Sequence, residues 1–149
     1  MSTNLIDTKS KIKLKSSIFI FYLLFIIIIL NSCSGLFIRR YDYTTYKNLT
    51  DSKPEVAALY MTFINDSLNL KQMAAVRLKI AQMCEYEKGK GVKYIETIKQ
   101  IEIIKNMFER HVKDRLEKGR WSETRLNSIK QNIEEAFDIA IQTEGLRIK

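Results

Sequence analysis

Proline and glycine are scarce, with one Pro and five Gly in 149 residues. So few turn formers cannot serve the many tight reversals of an all-β sandwich, and the chain reads as long helices. One His and two Cys cannot build a structural zinc site without carboxylate help, and no other cofactor signature is present. Disorder is excluded from the other side: 46% of residues are apolar and 28% charged, which is enough apolar surface to bury. The length admits one domain.

The one long hydrophobic run is Ile18 to Leu30, reading IFIFYLLFIIIIL. It follows Lys9, Lys11, Lys13 and Lys15, with only Asp7 against them. A basic segment and then a 13-residue apolar block has the shape of a secretory signal. As a helix the block reaches only ~20 Å, short of the ~30 Å hydrocarbon core of a bilayer. A true span has to continue through Asn31-Ser32-Cys33-Ser34-Gly35 into Leu36-Phe37-Ile38, which leaves an uncleaved single-pass anchor as the alternative. Both readings put the four lysines in the cytoplasm and the rest of the chain outside it.

The residues that close the block, Leu30-Asn31-Ser32-Cys33, resemble the lipobox of bacterial lipoproteins. Leu stands three places before the cleavage point, small residues precede it, and Cys follows it; Asn31 departs from the commoner Ala, Ser or Val. The resemblance covers residues 9–34 and implies a trafficking class, not a fold. It implies cleavage before Cys33, a diacylglycerol thioether on Cys33, and membrane lipid as a partner. Ser34 lacks the Asp that commonly retains lipoproteins in the inner membrane of enteric bacteria, so the outer membrane is the expected address. Removing residues 1–32 takes away four Lys and Asp7, leaving 21 basic against 16 acidic residues and a net charge of +5 instead of +8. Much of the basic excess therefore belongs to targeting, and nucleic acid is not an expected partner.

Three segments follow: a signal peptide over 1–32, a lipidated tether over 33–51, and a helical domain over 52–149. In the tether, Phe37, Arg39, Arg40, Tyr41 and Tyr43 are candidate membrane-interface residues, since aromatic rings sit at headgroup depth and cations meet anionic lipid. The alternative is that the tether packs back on the domain. Ser52-Lys53-Pro54-Glu55 predicts a helix start, with Ser52 as cap and Pro54 in the first turn. Asn69 caps a second helix over Leu70 to Glu87, with Met73, Val76 or the stem of Arg77, Ile80, Met83 and Cys84 on its buried stripe. After Gly89-Lys90-Gly91 a third helix runs from Val92 to Lys118 with Tyr94, Ile98, Ile101, Ile104, Phe108, His111 or Val112, and Arg115 inward. Ser122 caps the fourth, Trp121 and Leu126 fit a hydrophobic staple, and Gly145 closes it. The fold class is all-α. Short loops make an antiparallel four-helix bundle, with two stacked helical hairpins as the alternative.

Chemistry is hard to find. His111 lies beside Phe108 and Val112, which reads as a core or boundary imidazole. A di-iron Glu-x-x-His motif fails because residue 108 is Phe. A Cys84–His111 nucleophile pair lacks an orienting third group. Gly89-Lys90-Gly91 lacks the strand and Ser/Thr of a P-loop. Glu85/Glu87 and Glu134/Glu135 read as solvated neighbours, not catalytic pairs. The expectation is a non-enzymatic, cofactor-free lipoprotein that binds or scaffolds another envelope protein, with Phe108 and His111 as candidate partner-binding residues and no small-molecule substrate. The alternatives are a surface lipoprotein binding host molecules, an accessory subunit of an envelope enzyme, and a lysis or exclusion lipoprotein of a mobile element.

Overall fold

Apolar residues at three- and four-residue spacing give each helix one face to bury, and four such faces enclose one core. The computed structural model describes residues 40–148, with side chains up to residue 147. The signal segment, Cys33, Phe37 and Arg39 lie outside the described residues. Four α-helices are present: α1 (Tyr43–Met61), α2 (Leu70–Gly89), α3 (Ile95–Lys118) and α4 (Glu123–Gly145). Single 3-10 turns cover Thr62–Ile64, Val92–Tyr94 and Leu146–Ile148, and no strand occurs among the described residues. Each helix packs on two others: α1 on α2 and α4, and α3 on the same two. The α1–α4 contact closes a ring, the arrangement of a bundle and not of an open stack of hairpins. Among the described residues, no helix is long and apolar enough to cross a membrane.

The caps of α2 and α4 follow from local chemistry. The Asn69 side chain accepts from Gln72 N at 3.0 Å, and Ser122 Oγ accepts from Arg125 N at 3.2 Å. Gly91 and Gly119 take φ of 82° and 79°, the left-handed conformation that lets the chain leave α2 and α3 without a Cβ penalty. The expected stripes are buried but for Tyr94, which is half-buried in the turn before α3: Met73, Val76, Ile80, Met83 and Cys84 come from α2, and Ile98, Ile101, Ile104, Phe108, Val112 and Arg115 from α3. From α4 come Leu126, Ile133, Phe137 and Ala140. Each large apolar side chain removed from water contributes roughly 1.5–3 kcal/mol before entropy is counted.

Helix α1 corrects the tether boundary. It begins at Tyr43, so residues 43–51 are helical and belong to the domain. Asp42 is the true cap, its carboxylate accepting from Thr44 N at 2.8 Å and Thr45 N at 3.2 Å. Thr45, Leu49, Ser52 and Val56 then continue one buried stripe at helical spacing. Ser52 is mid-helix and buried, and its Oγ has no hydrogen-bond partner among the described residues. Glu55 reaches across to Lys79 of α2 instead of back to a cap.

The far end of α1 is closed by α3. Arg115 is buried; its Nε donates to Phe63 O at 2.8 Å and its Nη2 to Asn65 O at 2.6 Å. A guanidinium thus satisfies orphan carbonyls where the helix dipole favours a cation. Trp121 N donates to the same Phe63 carbonyl at 3.0 Å. The indole meets the Phe63 ring edge-on at 4.9 Å and the Tyr60 ring at 5.5 Å.

Pro54 lies inside α1 on its exposed face, where it withholds the N–H that Thr50 O would otherwise accept. Pro54→Ala restores that bond and is expected to raise stability by about 1–3 kcal/mol. Urea unfolding followed by far-UV circular dichroism checks this; an unchanged or lowered midpoint contradicts it.

Candidate functional site

The chain enters the bundle beside a polar network built from four elements. Glu87, near the end of α2, is fully buried. A carboxylate taken out of water needs a cation and hydrogen bonds, and here it has both. Lys90 Nζ lies 3.0 Å from Glu87 Oε1 and 2.9 Å from Oε2, 2.7 Å from Thr45 Oγ1 and 3.0 Å from Asp42 Oδ2. Thr45 donates its hydroxyl to Glu87 Oε1. Tyr86 Oη donates to Asp42 Oδ2 at 2.9 Å. Glu144 of α4, also fully buried, accepts from Asp42 N at 2.7 Å and pairs with Arg147. Arg147 Nη2 donates to Thr97 Oγ1 of α3 at 2.8 Å. The Tyr94 ring receives Lys90 Nζ at 4.2 Å and the Arg147 guanidinium at 5.6 Å.

The electrostatics of this network favour charge pairing. Burial opposes the ammonium of Lys90, but hydrogen bonds and attraction from Glu87 and Asp42 outweigh it and hold its pKa above the ordinary value. Burial likewise opposes the Asp42 carboxylate, and the hydrogen bonds from Lys90, Tyr86 and the Thr45 backbone outweigh it and lower its pKa. Paired groups of this kind hold structure, and Lys90 and Asp42 keep their charges near neutral pH. The solvated reading of Glu87 is therefore corrected. Elsewhere Glu109 of α3 accepts a bidentate bond from Arg77 of α2, at 2.8 Å to Nε and 2.9 Å to Nη2.

The candidate partner-binding residues are core. Phe108 is completely buried, packed 6.3 Å from the Tyr60 ring, so its truncation opens a cavity and removes no docking surface. His111 is buried too; its Nδ1 lies 2.8 Å from Tyr60 Oη and its ring meets Trp121 edge-on. Periodicity placed both residues correctly on the α3 stripe but could not say that α1 and α4 would cover the stripe's edge. Cys84 is buried and unpaired by any disulfide. Of the candidate interface residues, Arg40 and Tyr43 are exposed, while Tyr41 is half-buried with its ring 5.8 Å from Tyr46. No group of three or more His, Cys, Asp or Glu among the described residues is arranged to hold a metal ion.

One apolar surface feature was not legible in the sequence. Gln100, Ile103, Ala136 and Ile139 line a groove between α3 and α4 of about 80 Å³. Ile103 and Ile139 stand about half exposed on its rims. Gln100 Nε2 donates to Thr143 Oγ1 at 2.9 Å, while its Oε1 is buried without a partner among the described residues. The volume is far below the ~300–1,000 Å³ of a small-molecule site and suits one or two inserted side chains. No family model, curated protein or solved structure matches the chain.

Burial depresses the His111 imidazole first, Arg110 and Arg125 add to it, Asp114 opposes, and the pKa falls from 6.5 to about 4. The folded state thus stays unprotonated at His111 where the unfolded chain binds a proton, so this contribution is present above pH 6.5 and is lost as pH falls toward 4. Between pH 6.5 and 5 the loss is expected to be about 1.5 kcal/mol. Urea midpoints measured across that window should fall for the wild type and stay flatter for His111→Gln. Parallel curves for the two proteins contradict the assignment.

Proposed function

We propose that the protein is a lipid-anchored, non-enzymatic module of the bacterial cell envelope that binds a partner protein through its helical bundle. The observation that carries this reading is Leu30-Asn31-Ser32-Cys33 directly behind a basic segment and an apolar block. Acyl chains on Cys33 hold such a protein firmly, since each buried CH₂ adds ~0.8 kcal/mol. The α3–α4 groove supports the binding role, because half-exposed Ile103 and Ile139 offer apolar anchors beside a buried amide oxygen in need of a donor. Ser34 favours the outer membrane as the address. The uncleaved single-pass anchor stands as the second reading, on the observation that Leu36-Phe37-Ile38 can lengthen the apolar block.

Intact mass of the membrane-extracted protein separates the two. The expected result is a chain that begins at Cys33 and carries added acyl mass, with both features lost in Cys33→Ala. A full-length chain without added mass overturns the lipoprotein reading and leaves the single-pass anchor.

A further inference from the structure

The three most exposed large apolar side chains among the described residues are Val92 at 85%, Leu146 at 73% and Tyr43 at 66%. They come from the α2–α3 turn, the turn after α4, and the first residue of α1. The polar network ties these segments together at one end of the bundle: Lys90 bonds Asp42, Asp42 N bonds Glu144, and Arg147 bonds Thr97. Ile95, partly exposed, begins α3 at the same end. Arg40 and Lys93 are exposed there as well. An end surface that turns apolar tips and cations outward has the make-up of a membrane-interface patch.

We infer that this end of the bundle docks on an anionic lipid surface, with Tyr43, Val92, Ile95 and Leu146 entering the headgroup layer and Arg40 meeting lipid phosphates. The inference deepens the proposed anchoring and rests on it. The chain itself selects the occupant. Residue 40 stands ten residues after Leu30, the last of the apolar block, and seven after Cys33. Fully extended, seven residues reach at most ~25 Å and ten at most ~35 Å. Either anchor therefore keeps this end within reach of the bilayer. The opposite end also exposes Met61, Leu70 and Leu116, but the 24 residues of α3 set it off by ~36 Å, further than either stretch of chain reaches. Two of the docking residues lie on turns after helix ends, where an added side chain meets solvent and not core.

The test uses the full chain reconstituted into vesicles of phosphatidylcholine and phosphatidylglycerol with brominated acyl chains. Val92→Trp and Leu116→Trp each add one exposed indole, at opposite ends, to the buried Trp121. The expected result is a blue shift and loss of emission for Val92→Trp, little change for Leu116→Trp, and weaker quenching of Val92→Trp when Arg40→Glu is added or phosphatidylglycerol is left out. Equal quenching of the two variants, or none in either while the protein floats with the vesicles, overturns the docking and leaves anchoring intact. Failure of the protein to float and to carry acyl mass strikes the anchoring reading instead, and quenching of Val92→Trp by added vesicles still decides the docking.

Discussion

The buried carboxylate of Glu87 sets the terms for one end of this molecule. A fully desolvated charge costs several kcal/mol unless a counter-ion and hydrogen bonds meet it. Lys90 meets it from the same turn, only three residues on, and Thr45 and Asp42 complete the shell from a segment more than forty residues away. The charge thus compels the start of α1 to fold against the end of α2. Asp42 then does double duty, capping α1 with its side chain and reaching α4 through its backbone N–H to Glu144. At the other end Arg115 plays the matching part, bonding from α3 the carbonyls of Phe63 and Asn65 in the turn that follows α1. The apolar stripes supply the driving force, and these two polar closures fix where the helices begin and end.

Local signals were the legible part. Asn69 and Ser122 cap with side chains that a reader can pick out, Gly91 and Gly119 stop helices by their conformational freedom, and the stripes of α2, α3 and α4 recur at helical spacing. The start of α1 misled for equally local reasons. Ser52-Lys53-Pro54-Glu55 imitates a helix start, while Tyr43-Thr44-Thr45-Tyr46 is poor in helix formers. Tertiary bonds to Glu87 and Lys90, distant in sequence, override that propensity. The same distance hid the burial of Glu87 and the pairing of Glu109 with Arg77. For the candidate site, a one-dimensional stripe shows which residues share a face. It does not show which neighbours cover that face, so Phe108 and His111 turned out to be core, and the half-exposed Ile103 and Ile139 passed unnoticed.

The corrected boundary changes the picture of how the domain is presented. With residues 43–51 helical, the stretch between Cys33 and the first turn of α1 shortens to nine residues, 34–42. On the proposed anchoring, a short linker and a rigid, apolar-tipped end hold the bundle close to the bilayer and restrict its tilt. Stability, placement and binding surface would all depend on the same polar closure around Lys90.

Hydrogen exchange of the intact chain, in the wild type and in Lys90→Met, tests that dependence most directly. The account predicts amides of residues 47–52 in the wild type protected comparably to those of 56–61. It predicts that Lys90→Met strips protection from the first turns of α1 and from the end of α2 while the Arg115-capped end keeps its own. Rapid wild-type exchange over residues 47–52 would contradict it, returning that segment to a tether. So would unchanged protection in Lys90→Met, because the Glu87 charge would then not govern this end of the fold.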